Sequence, residues 1–170
     1  PVIGPGLVAC HIASMLGRRF SVVSLFSRWA DNMRRNLVGY ELDHKVASYR
    51  SLTDVVPDIR RLMGGKEHLF PEIEKLCRLA IDEDGADVIV LASTTMHEVA
   101  DYLKRRLDVP VINPGIWGFR LAVDLATLSV SHSKKAYPSP GTAQDGIFSA
   151  LPSAAGYVAA SVKRSAPVDG

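Results

Sequence analysis

Ala86-Asp87-Val88-Ile89-Val90-Leu91-Ala92-Ser93-Thr94-Thr95-Met96-His97-Glu98 is the stretch that decides the fold. An apolar, β-branched run of strand length passes through three hydroxyl residues into a helix-forming segment. The run is nearly continuous rather than alternating, as expected of a strand buried on both faces of a parallel sheet. Working outward, similar runs occur at Phe20-Ser21-Val22-Val23-Ser24-Leu25, Lys45-Val46-Ala47-Ser48-Tyr49 and Val109-Pro110-Val111-Ile112. Between and after them the spacing predicts helices over about 28–39, 67–84, 95–107 and 116–128, with another carrying His11 before the first strand. The segment 67–84 is the clearest: Leu69, Ile73, Leu76, Cys77, Ala80 and Ile81 share one helical face, Glu72, Glu74, Lys75 and Arg78 lie elsewhere, and Gly85 ends it. Strand–helix–strand repetition implies an α/β fold with a parallel sheet and right-handed crossovers.

In such sheets ligands bind at the carboxyl ends of the strands. Those ends read Ser24-Leu25-Phe26-Ser27, Tyr49-Arg50-Ser51, Ala92-Ser93-Thr94-Thr95 and Asn113-Pro114-Gly115. At Ser93-Thr94-Thr95, hydroxyls and backbone N–H groups gather at a helix N-terminus, which suits a carboxylate, an enolate-like oxygen or a phosphate. Thr95-Met96-His97-Glu98 also matches a capping box, which would occupy Thr95 structurally and leave Ser93 and Thr94 for a ligand. His97 in the first helical turn reads equally as a general base or as a surface partner of Asp101 four residues on. Cys10 and His11 are adjacent on a helix and do not share a face, so they form no dyad. Cys10 and Cys77 read as small buried hydrophobes. His44 and His68 stand in polar surroundings. The segment Ser129-Val130-Ser131-His132-Ser133-Lys134-Lys135 could hold an anion or close a pocket, or be a solvated connection. The pairs Arg18-Arg19, Arg34-Arg35, Arg60-Arg61 and Arg105-Arg106 read as solvated helix ends and faces.

The 170 residues, 47% hydrophobic and 22% charged, suit one ordinary core. Twenty Lys+Arg against eighteen Asp+Glu leave +2, with the basic residues scattered, which argues against a nucleic-acid partner. No apolar run approaches the roughly 18 residues of a membrane span, and the N-terminus carries no signal-peptide pattern. Two cysteines make neither a disulfide framework nor a metal spacing. The expectation is a soluble cytoplasmic protein with no metal site. Pro1-Val2-Ile3-Gly4-Pro5-Gly6 reads as the end of an apolar strand entering a loop, with more chain expected before it. Pro and Gly thicken from Pro138 to Gly170.

Several of these segments together resemble the aspartate/glutamate/hydantoin racemase superfamily, in its hydantoin and allantoin racemase branch. Pro1-Val2-Ile3-Gly4-Pro5-Gly6, His11-Ile12-Ala13-Ser14 and Gly17-Arg18-Arg19-Phe20-Ser21-Val22-Val23 resemble the family's passage from a PVxGxG segment through a helix into a GxRFSVV strand. Gly85-Ala86-Asp87-Val88-Ile89-Val90-Leu91 is similar to the GADxIVL strand before the second catalytic cysteine. Val109-Pro110-Val111-Ile112-Asn113 is similar to VPVID, and Ser131-His132-Ser133-Lys134 to STSK. The match spans residues 1 to about 138 in order.

The resemblance implies a flavodoxin-like lobe of a two-lobed fold whose first lobe is largely missing from this chain. Residues 1–15 would be the exit of the first lobe, 16–113 the second lobe, and 114–170 the return segment completing the first. It implies a cofactor-independent racemase acting at the α-carbon of an amino-acid derivative such as a hydantoin or allantoin. Its catalytic pair is two cysteines, one per lobe, acting on opposite faces of the carbon. Ser93 stands at the second cysteine's position, a weaker acid/base there; the first would precede Pro1, and Asn113 replaces an Asp. Ser24, Thr94, Thr95, Ser131, Ser133 and Lys134 are the implied binders of a substrate carbonyl or carboxylate. A homo-oligomer is implied as well. The alternatives are a decarboxylase or cis–trans isomerase of the same superfamily, and a non-catalytic protein that binds small anions.

Overall fold

The computed structural model describes residues 1–54 and 69–138. Expectations for Arg60-Arg61, His68, the start of the helix over 67–84 and the Pro- and Gly-rich end beyond Pro138 lie outside the described residues. In chain order the elements are α1 (Pro5–Leu16), β1 (Phe20–Ser24), α2 (Ser27–Gly39), β2 (Val46–Ser51), α3 (Phe70–Asp82), β3 (Val88–Leu91), α4 (His97–Lys104), β4 (Val111–Ile112) and α5 (Pro114–Thr127). The four strands form one sheet in the order β2-β1-β3-β4, and all pairs are parallel.

The continuous apolar runs become the central strands because both faces are covered. Successive side chains point to opposite sides. Phe20, Val22, Val88, Val90 and Ile112 pack with Ala9, Cys10 and Ala13 of α1 and Leu37 of α2. Val23, Ile89, Leu91 and Val111 pack with Ile73, Leu76, Cys77 and Ala80 of α3 and Val99, Ala100 and Leu103 of α4. Each such buried aliphatic side chain contributes ~1.5–3 kcal/mol relative to exposure. The apolar face of α3 foreseen from its spacing is the buried one.

Two features differ from the sequence reading. Pro5-Gly6 opens α1 instead of closing a strand, and Pro1 to Gly4 have no regular structure. A proline in the first helical turn gives up an N–H that has no helical acceptor anyway, so the apolar run yields to the helix. The last strand is only Val111–Ile112, although the Pro110 carbonyl still accepts the Ile89 amide at 2.9 Å.

The Asp87 carboxylate ties the turn before β1 to the foot of β3. It accepts the backbone N–H groups of Arg18 at 2.9 Å and Arg19 at 3.2 Å, and these bonds hold its pKa below the ordinary carboxylate range. On the outer side, α5 packs on α1, buries Pro114 and Gly118, and leaves Ile116, Trp117, Phe119, Leu121 and Val123 exposed. Among the described residues no helix is long and apolar enough to cross a membrane. Residues 1–131 form one unit, and the chain from His132 onward forms a second.

Candidate functional site

The strand order places a topological switch point between β1 and β3. From β1 the chain moves outward to β2 on one side, while β3 and β4 lie on the other. Crossovers therefore diverge above the carboxyl ends of β1 and β3, the usual ligand crevice of a doubly wound sheet. The ends that meet there are Ser24-Leu25-Phe26 and Ala92-Ser93-Thr94-Thr95, held together by the Ala92 N–H donating to the Val23 carbonyl at 2.9 Å.

Ser93 is half-buried, and Thr94 and Thr95 are exposed. The Ser93 and Thr95 hydroxyls are 3.0 Å apart, and the Thr95 N–H donates to Ser93 Oγ at 3.4 Å. The Met96 N–H returns to the Ser93 carbonyl at 3.3 Å, making a tight turn. Helix α4 then starts at His97, with Met96 as its N-cap and no side-chain cap. This corrects the capping-box expectation: the Thr95 hydroxyl is engaged by Ser93 and does not cap the helix. A hydroxyl two residues away competes successfully with the helix N–H groups. Among the described residues the first N–H groups of α4 consequently lack a side-chain acceptor, and this end of the helix favours negative charge. The Thr94 N–H also meets no acceptor among the described residues.

Ser24 lies across the switch point and is buried. Its hydroxyl donates to the Phe26 carbonyl at 2.8 Å and accepts the Phe26 N–H at 3.2 Å, shaping the loop that leaves β1. Beside Thr95 a small cavity of about 40 Å³ is lined by Leu25, Leu69, Phe70, Ile73, Met96 and Val99, with Glu98.

A residue whose full role the sequence did not reveal is Asn113. It is buried, and its Oδ1 accepts the N–H groups of Gly115 at 2.9 Å and Ile116 at 3.2 Å, capping α5. Its Nδ2 lies 3.5 Å from the Thr94 carbonyl oxygen as donor. Asn followed by Pro-Gly at a strand end is a legible cap signal; the contact with Thr94, nineteen residues earlier, is not.

Ser131 follows α5 and is exposed, and Ser133 and Lys134 belong to the second unit. There Ser133 Oγ accepts the Ala136 N–H at 3.3 Å. His97 is exposed, and Asp101 pairs with Lys104 at 3.3 Å. Cys10 is fully buried while His11 is exposed, in keeping with their opposed positions on the helix. Burial pushes the thiols of Cys10 and Cys77 up to about 12, so both are protonated at neutral pH. Among the described residues no three His, Cys, Asp or Glu side chains gather as a metal-ligand set.

The sequence pattern of the Asp/Glu/Hydantoin racemase family matches residues 1–122. A hydantoin racemase of Pseudomonas sp. (strain NS671) is 33% identical over 142 residues, covering 82% of this chain and 55% of the relative. A hydantoin racemase of Paenarthrobacter aurescens is 31% identical over 144 residues, covering 82% and 58%. Among solved structures, an allantoin racemase from Klebsiella pneumoniae superposes with a TM-score of 0.74 at 29% identity, covering 84% of this chain and 58% of that one. An allantoin racemase from Pseudomonas fluorescens gives 0.73 at 27% identity, covering 85% and 60%. The chain thus spans a little over half the length of these relatives.

Proposed function

The chain belongs to the Asp/Glu/Hydantoin racemase family, and on that premise we propose that it supplies one half of a cofactor-independent racemase site for an amino-acid derivative such as a hydantoin or allantoin. The observation that carries this reading is the turn at the switch point, which brings Ser93 Oγ and the Thr95 amide together just before the start of α4, a helix whose N-cap residue makes no side-chain cap. In this reading residues 16–113 carry the binding lobe, with α1 packed into its core.

Racemisation breaks the C–H bond beside a carbonyl, moves its electron pair onto the carbonyl oxygen, and returns a proton to the other face. Donors aimed at that oxygen lower the barrier; the Thr94 N–H serves here, and the Thr95 N–H serves on leaving its 3.4 Å bond to Ser93 Oγ. Ser93 occupies the acid/base position. Its partners among the described residues are a neutral hydroxyl and an amide, neither of which raises its basicity. A thiol loses its proton near pH ~8.5, whereas an aliphatic hydroxyl is a far weaker acid. Proton transfer at position 93 is therefore slow, and substrate binding is the better preserved half of the function. Ser24 shapes the exit of β1 through the Phe26 peptide. The exposed apolar face of α5 supports association into a homo-oligomer, and the two unpaired buried thiols fit a reducing cytoplasm.

The test is to incubate the full-length protein and its Ser93→Cys variant with one enantiomer of a 5-substituted hydantoin or allantoin in deuterated solvent. Gain of α-deuterium and loss of optical rotation in the variant support the reading. Ligand binding without exchange in either form indicates a binding protein; release of carbon dioxide from a carboxylated analogue indicates a decarboxylase.

A further inference from the structure

We infer that Asn113 is a positioning residue for the Thr94–Thr95 peptide and, through it, aims the Thr95 N–H at the reacting centre. This rests on the site assignment above and adds a residue outside the turn itself. The orientation of the carboxamide is fixed by its partners: two N–H groups, from Gly115 and Ile116, can be met only by the oxygen. The NH₂ end is thereby turned to the Thr94 carbonyl. In a trans peptide the carbonyl and the following N–H point in opposite directions. Holding the Thr94 oxygen toward Asn113 therefore directs the Thr95 N–H away from it, toward Ser93 Oγ, where it is found.

At 3.5 Å the Asn113 bond is long, and a second contact bears on the same peptide. Gly115 lies so close that a Cβ there would stand 3.1 Å from Thr94 Cβ and 3.2 Å from the Thr94 carbonyl oxygen. The first turn of α5 thus braces the peptide by packing, while Asn113 sets its direction by a hydrogen bond. Because Asn113 is itself nine-tenths buried or more, its amide has little freedom to rotate away.

The experiment separates this role from simple helix capping. Asn113→Asp keeps an oxygen for the Gly115 and Ile116 N–H groups but turns a charged acceptor toward Thr94 in place of the donor; Gly115→Ala crowds Thr94 and the Asn113 carboxamide oxygen together. Backbone ¹⁵N–¹H spectra and hydantoin titrations are recorded for the full-length protein and both variants. The expected result is a displaced Thr95 amide resonance in each variant. In Asn113→Asp the Gly115 and Ile116 resonances and the melting temperature stay near wild type, and hydantoin affinity falls about 10-fold, the usual worth of one hydrogen bond. An unmoved Thr95 resonance in Asn113→Asp overturns the proposal and leaves Asn113 a helix cap. If the Thr95 resonance moves while the wild-type protein binds neither hydantoin nor allantoin, the positioning role stands and the substrate assignment fails.

Discussion

Arg50 grips Asp84 with both arms of its guanidinium, Nε to Oδ2 at 2.6 Å and a terminal nitrogen to Oδ1 at 2.9 Å. The pair joins the outermost strand, β2, to the turn after α3, and Glu83 adds a third contact at 3.0 Å. Both side chains are about one-fifth exposed, so the pair is partly shielded from solvent and salt. Fork-to-carboxylate pairing of this kind is stronger than an ordinary surface ion pair.

Asp84→Asn should destabilise the fold by about 1–2 kcal/mol, since hydrogen bonds to charged groups are worth ~1.5–3 kcal/mol and part of that is lost to solvent here. The Arg50 hydrogen bonds hold the Asp84 pKa below its ordinary value. A carboxylate depressed in the folded state contributes stability above its unfolded pKa, ~3.9, and loses it as pH falls through the folded value. The wild-type advantage over the variant, read from urea midpoints, should be full at pH 6 and shrink below pH ~4. An advantage independent of pH would show that the charge of Asp84 contributes nothing.

Gly17→Ala should cost about 1–3 kcal/mol by overpacking. A Cβ at that position would sit 2.7 Å from both Asp87 Cβ and Val88 Cγ2, against the foot of a central strand. The clash would also disturb the Asp87 bonds to Arg18 and Arg19. Thermal denaturation of the variant checks this, and an unchanged midpoint would contradict the close approach.

Cys10 and Cys77, buried and with thiols raised to about 12, should resist a thiol reagent at pH 8 in the native protein and react only on unfolding. Counting modified cysteines by mass before and after adding guanidinium tests this. Rapid native labelling of either would reopen it as a nucleophile.

Ser24→Ala removes a hydroxyl that serves both the N–H and the carbonyl of Phe26. Leaving these groups without it should cost about 1–3 kcal/mol, measured by urea unfolding. A cost within error would mean that the β1 exit loop is shaped by packing alone.

Much of the sheet was legible because burial on two faces leaves a strong local signal. Val88–Leu91 and Phe20–Ser24 read as central strands and are completely buried. The face of α3 followed from spacing alone. What misled were short patterns open to two local solutions. Thr95 and Glu98 have capping-box spacing, but Ser93 is nearer and takes the Thr95 hydroxyl. Pro5-Gly6 has turn composition, yet proline fits the first helical turn. The Asn113–Thr94 contact was invisible for another reason: it joins two strand ends that only the completed sheet brings together.

A residue in the acid/base position must face the α-carbon of the bound amino-acid derivative, and Ser93 is the residue proposed there. The most direct test of that placement is α-proton exchange in deuterated solvent, followed by NMR for one enantiomer of a 5-substituted hydantoin or allantoin with the full-length protein and with Ser93→Cys and Ser93→Ala. Exchange should rise at least 10-fold with cysteine and be lowest with alanine, while the affinity of the three forms stays within a few-fold. Equal exchange in all three, or none in any form that binds the ligand, would contradict the placement.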